Sequence, residues 1–140
     1  MSVPIPDPLR QQIAKRDGDR CCYCLTTAVN SGVAMTCDHI QPISKGGSTT
    51  SENLCLACSA CNLFKSYSTE ALDVVSGETA PLFNPIKQSW SDHFVWSADK
   101  TQVEGITPTG RVTVNTLRMN RIIIVLARQR WVSVGWHPPQ

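Results

Sequence analysis

Asp38-His39 is the pair in this chain best suited to chemistry. An imidazole titrates near neutral pH and can take a proton from water. Asp38 is a hard carboxylate donor, and Asn62 offers a second oxygen through its side-chain carbonyl. Both donors suit Mg2+ or Mn2+ better than zinc. Two Cys-x-x-Cys pairs, Cys21/Cys24 and Cys58/Cys61, frame the set. Thiolates at this spacing suit a closed, tetrahedral Zn2+ site. Between the frames lie Gly46-Gly47 and Asn53-Leu54, and Lys65 follows Asn62 by three residues. A zinc staple needs no Asp-His pair and no asparagines, so this set is more than structure requires.

Several elements must position these groups. Asp7-Pro8 is a helix-start signal, and that helix should stop near Gly18 with Leu9, Ile13 and Ala14 facing inward. Arg20 to Cys24 forms a first cysteine knuckle. The stretch 33–40 reads as a strand that delivers Asp38 and His39, and 42–51 reads as a loop from its Pro, Gly-Gly, Ser and Thr content. A short second strand over 53–57 precedes a helix from Ser59 through Cys61, Asn62 and Lys65. Neighbours on a strand point to opposite faces, which opposes a site shared by Asp38 and His39 unless the strand ends there. Further on, 76–90 reads as a connection. The stretches 93–97 and 102–107 pair as a hairpin through Asp99-Lys100. Thr107-Pro108 opens a helix to about Met119, and Asn120 caps a last helix over 121–134.

The fold class is therefore α+β: a small zinc-stapled core (20–67), a helical lead-in (1–19), and a C-terminal hairpin-plus-helices extension (68–140). A core this small usually requires a metal or disulfides. Seven cysteines cannot all pair. Met1 to Asp7 has neither a basic start nor an apolar run, and no stretch approaches the ~20 apolar residues of a membrane span. The expectation is a reducing, cytoplasmic setting in which cysteines hold metal. Net charge is only +2, yet from Gly105 onward there are five arginines and no acidic residue. Arg111 and Arg118 are seven apart, as are Arg121 and Arg128, so each pair could lie on one helical face and track phosphates, or line a solvated outer face.

Arg20-Cys21-x-Tyr23-Cys24, Asp38-His39-Ile40-x-Pro42, Gly46-Gly47, Asn53-Leu54 and Cys58-x-x-Cys61-Asn62-x-x-Lys65 together resemble the HNH endonucleases. The resemblance covers about a third of the chain. It implies a ββα-metal fold and metal-dependent hydrolysis of DNA phosphodiesters to 5′-phosphate and 3′-hydroxyl ends, by nicking or by cutting both strands. It implies His39 as general base, Asn53 as the residue holding the loop and positioning that histidine, and Asp38 with Asn62 as ligands of the catalytic Mg2+ or Mn2+. Cys21, Cys24, Cys58 and Cys61 would bind structural Zn2+. Lys65, by its place on the Asn62 helix face, could contact phosphate. The family's final histidine is Asn62 here, a variant of the pattern. The C-terminal part, with Leu82-Phe83-Asn84-Pro85 and Gly135-Trp136-His137-Pro138-Pro139, also resembles a tail that follows HNH cores in a set of bacterial proteins.

Two rivals stand beside this reading. One is a non-catalytic zinc-ribbon module that binds nucleic acid, for which a complete Asp-His-Asn-Asn set is unnecessary. The other is an HNH-type nuclease acting on branched DNA or RNA. Asp92-His93 repeats the Asp-His pair without companions at ligand spacing, so a structural or DNA-contact role is expected. His137 reads as structural, and Cys22, Cys37 and Cys55 as buried apolar residues. No feature fixes the oligomeric state, and a monomer suffices.

Overall fold

Residues 4–139 are described by the computed structural model; Met1 to Val3 of the lead-in and Gln140 lie outside the described residues. Helix α1 (Asp7–Asp17) starts at the Asp7-Pro8 signal, one residue earlier than a cap at Asp7 would put it. It ends at Gly18, whose left-handed φ of 68° lets its N–H close on the Ala14 carbonyl. Ile13 is fully buried against Leu54 and Leu56, with Leu9 and Ala14 partly buried beside them.

Strands β1 (Thr36–His39) and β2 (Leu54–Ala57) pair antiparallel, with His39 opposite Leu54 and Asp38 opposite Cys55. The end of α1 braces the outer edge of β2. Arg16 donates to the carbonyls of Leu54 (2.6 Å) and Ser51 (2.7 Å), and Asp17 accepts from Leu56 N–H. A one-turn α2 (Ala28–Ser31), which no sequence signal announced, sits between the first knuckle and β1 and is capped by Thr27. Helix α3 (Ser59–Lys65) follows β2 directly, with Cys58 as its N-cap. The order strand, loop, strand, helix is the one expected.

The segment read as a connection is more ordered than that. Strands β3 (Glu70–Leu72) and β4 (Thr79–Pro81) form a short hairpin. Its turn is held by Asp73, which accepts from Ser76 N–H, and by Gly77 at φ 77°. Three-residue strands are too short to show alternation in sequence. After the turn of α4 (Trp90–His93), strands β5 (Phe94–Trp96) and β6 (Val103–Gly105) make the expected hairpin. Helix α5 (Pro108–Thr116) is capped by the Thr107 hydroxyl, which accepts from Gly110 N–H.

The last two helices depart from expectation. Helix α5 stops at Thr116, and Arg118 adopts a left-handed φ of 51°. Helix α6 (Ile122–Ser133) starts after Arg121 with no side-chain cap. Asn120 does not cap it. It instead bonds both backbone groups of Val103 and accepts from Arg128. Helix α6 also turns an arginine inward and isoleucines outward: Arg128 is 0% exposed, whereas Ile122 and Ile123 are 80% and 75% exposed.

One buried cluster joins the cysteine-framed part to the extension. Tyr23, Cys55 and Ala57 share it with Phe83, Phe94, Val103, Val112, Leu117 and Met119. Trp90 also donates from its indole N–H to the Tyr23 carbonyl at 2.8 Å. No helix among the described residues is long and apolar enough to cross a membrane.

Candidate active site and metal centre

The four cysteine sulfurs lie within 4.8 Å of one another. Each knuckle is closed locally by an amide reaching back to sulfur: Cys24 N–H to Cys21 Sγ at 3.5 Å, and Cys61 N–H to Cys58 Sγ at 3.4 Å. Leu25, at a left-handed φ of 64°, completes the first turn. The second knuckle is the N-terminus of α3, so the same four atoms tie the first knuckle to the helix carrying Asn62 and Lys65. Burial pushes the Cys21 thiol well up, and hydrogen bonds from its neighbours, Cys21 first, hold Cys24 well below the usual thiol range. Four sulfurs this close become thiolates together only around a cation. Donor type, number and spacing all fit a metal of the zinc kind.

Around Asn53 the loop is clamped. Its amide nitrogen donates to the carbonyls of Gln41 (3.0 Å) and Ser48 (2.8 Å), its amide oxygen accepts from Gln41 N–H (2.9 Å), and its backbone carbonyl accepts from Ile40 N–H (2.9 Å). The clamp acts on the residues just after His39 rather than on its ring. Gly47 is required here, because a Cβ would run into the Gln41 carbonyl and the Asn53 amide. His39 is the last residue of β1 and half-buried, and its Nε2 shares a 3.0 Å hydrogen bond with the Thr49 hydroxyl. Burial pulls its pKa below the ordinary histidine value, against the opposing charge of Asp38.

Asp38 faces the other way. One carboxylate oxygen, Oδ2, accepts from the Tyr23 hydroxyl at 2.7 Å and lies 3.1 Å from Lys65 Nζ, while the same ammonium approaches Oδ1 at 3.4 Å. Lys65 also donates to the His39 carbonyl at 3.1 Å. The side chains of Lys65 and Asp38 are 1% and 5% exposed. Burial raises the Asp38 pKa despite the ammonium beside it. Asn62, one turn before Lys65, donates to the Thr36 hydroxyl at 2.9 Å. Thus Asn62 and Lys65, on one face of α3, dock on Thr36 and Asp38, on one face of β1.

This placement corrects three expectations. Lys65 is not positioned to meet a phosphate, because it is sealed in an ion pair. Arg128 is buried and donates to the carbonyls of Thr101 and Met119, so it does not share an outer stripe with Arg121. Arg111 is spent on a two-pronged pair with Asp73 at 2.9 and 3.0 Å, which holds that carboxyl well below the usual range. The seven-residue spacing misled because α5 ends before Arg118, and because Arg121 is the non-helical cap of α6 while Arg128 lies on the inner face of that helix. What forms instead is a smaller patch. Arg118 and Arg121 both lie over the Phe64 ring, at 4.6 and 5.5 Å, with Arg118 exposed.

The donors for a hard cation are present, but their arrangement does not fit one. Both Asp38 oxygens are engaged, and the cation beside them is Lys65. The bond Asn62 makes uses its amide nitrogen, not the carbonyl oxygen a metal would need. Asp92-His93 makes no second site: His93 Nδ1 bonds the Thr107 hydroxyl at 2.6 Å and its carbonyl accepts from Ile106 N–H. His137 is buried, edge-on to Trp96, with Nε2 on the Lys100 carbonyl.

Tyr23, Thr36 and Thr49 are site residues that sequence reasoning missed. Thr36 and Asp38 stand two apart on a strand, as Asn62 and Lys65 stand three apart on a helix, and that matched spacing was the available signal. Nothing local announced Thr49.

A two-stranded hairpin followed by a helix, stapled by cysteine knuckles at both ends, is a zinc-type ββα unit. Residues 21–68 match the family model described as HNH endonuclease. The match covers about a third of the chain and takes in both cysteine knuckles, Asp38-His39, Asn53 and α3. No curated protein and no solved structure gives a significant match.

Proposed function

We propose that this protein is a nuclease that hydrolyses phosphodiester bonds in DNA, leaving 5′-phosphate and 3′-hydroxyl ends. The observation that carries this reading is the setting of His39. It is a half-buried imidazole at the end of β1, anchored to Thr49, inside the stretch that matches the HNH endonuclease model. His39 is the general base that takes the proton of the attacking water. Asn53 is a positioning residue, since it fixes the turn that leaves β1. Residues 20–67 are the catalytic core, the helical lead-in braces it, and 68–140 pack on it.

Zn2+ on Cys21, Cys24, Cys58 and Cys61 is structural. A Mg2+ or Mn2+ ion is what the family implies, but the Asp38 carboxylate is committed to Tyr23 and Lys65, so no step runs through that ion. Arg118 and Arg121, stacked on Phe64, are the pair from the predicted stripe that would meet DNA phosphates. The committed carboxylate also favours a second reading, a zinc-stapled module that binds nucleic acid without cutting.

The test is incubation of zinc-loaded protein with supercoiled plasmid in Mg2+ and then Mn2+, beside His39→Ala. Relaxation or linearisation that disappears in the variant supports the nuclease, whether or not it needs the added metal. Retardation of the plasmid with no cutting in either metal supports the binding module.

A further inference from the structure

Arg128 is a long way in sequence from the cysteines, yet it is their neighbour. Its side chain is fully buried on α6. Cys24, Cys58, Met119, Ile124 and Arg128 line one cleft. The two terminal nitrogens are used: Nη1 donates to the Thr101 carbonyl at 2.9 Å, and Nη2 to the Met119 carbonyl at 2.8 Å. The guanidinium lies 5.3 Å from the Trp96 ring centre. Its Nε, also buried, has no hydrogen-bond partner.

The charge is equally unpartnered. None of the ion pairs among the described residues includes Arg128. A guanidinium stays protonated in a protein, so burying it without a counter-charge is costly. Burial works against its charge, and Arg121, which lines the same cleft, does too; thiolates at Cys24, Cys61 and Cys58 would favour it. Four thiolates around one divalent cation leave two negative charges in excess. A buried excess of that kind needs a cation nearby as much as Arg128 needs an anion.

We infer that Arg128 is the counter-charge of the four-cysteine metal site. Through it, the C-terminal extension tunes how tightly the core holds its metal. The inference rests on the reading of Cys21, Cys24, Cys58 and Cys61 as a zinc site. It gives the extension a definite role, in which α6 carries a cation inward to the metal. That role explains why this helix buries an arginine and leaves isoleucines outside. Residues that act on a site through its ligands commonly change metal affinity by about 10- to 100-fold.

The test compares the wild type with Arg128→Lys, Arg128→Gln and Arg128→Met. Zinc affinity is measured by competition with a chromophoric chelator, and the thiolate-to-metal band is recorded after Co2+ replacement. If charge matters, Lys retains zinc to within about threefold, while Gln and Met lose about tenfold or more. The cobalt band shifts in the neutral variants only. Gln keeps a donor for the carbonyls, so Gln binding zinc as the wild type does would overturn the inference. If Met does not fold, the Lys and Gln pair decides. Failure of Lys to hold zinc alongside Gln and Met would overturn it as well, because the role would then be packing. A wild type that takes up no zinc would remove the site itself, a separate outcome from loss of the Arg128 effect.

Discussion

Lys65 Nζ lies 3.1 Å from Asp38 Oδ2, and both side chains are almost wholly out of water. The same ammonium holds the His39 carbonyl. One buried cation therefore fixes both members of the Asp-His pair, through the carboxylate of the first and the backbone of the second. Removing a single partner of such a pair strands a buried charge, at a cost of roughly 3–5 kcal/mol. Lys65→Met should lower stability by about that much in chemical denaturation. Asp38→Asn in the same chain should restore a large part of it, because the stranded charge is gone. An additive double variant would mean the pair contributes little.

With His39 as the proposed general base, the pH profile of cleavage should report on its ring. Burial lowers its pKa below the usual 6.5, and the Asp38 charge works against that shift. The neutral, proton-accepting form therefore dominates at pH 7, and kcat/KM should fall only as pH drops below 6.5. Asp38→Asn removes the opposing charge, so the acid limb should move to lower pH. Lys65→Met should move it upward. His39→Ala should cost on the order of 100- to 10,000-fold and abolish the limb.

Asn53→Ala removes three side-chain hydrogen bonds to the Gln41–Ser48 loop, each worth about 0.5–1.5 kcal/mol net. We expect lower stability together with a lower kcat, since the turn after His39 loses its clamp. Gly47→Ala should act in the same direction by clash with the Gln41 carbonyl. Wild-type kcat in either variant would place the loop outside the catalytic machinery.

Zinc removal and magnesium removal should have different consequences. Stripping the four-cysteine site should unfold the core, because a unit this small cannot hold itself together without its metal. Circular dichroism after treatment with a thiol-competitive chelator would show it. Withholding Mg2+ and Mn2+ should leave the spectrum unchanged, because the Asp38 carboxylate is held by Tyr23 and Lys65 rather than by such an ion.

Arg118→Ala and Arg121→Ala should each weaken DNA binding across sequences. Each should also reduce the slope of log affinity against log salt by about 1. Arg111→Ala should change the slope little, since that guanidinium is already paired with Asp73.

The cysteine spacing by itself determined the knuckles, because each closes within four residues through an amide-to-sulfur bond. Short-range chemistry at Asp7-Pro8, Thr107-Pro108 and Cys58 likewise set the start of α1, the cap of α5 and the strand–loop–strand–helix order. Only the tertiary structure decided which way the charged side chains point. Lys65 and Arg128 looked like surface cations, and both are buried, because the carboxylate of Asp38 and the carbonyls of Thr101 and Met119 lie where burial had left a demand for donors. Whether a charge meets water or a buried acceptor depends on what the rest of the chain brings to it. For Arg128 that comes from the β5–β6 turn and the residues after α5, and for Lys65 from a strand 27 residues away in sequence. No local pattern carries that information.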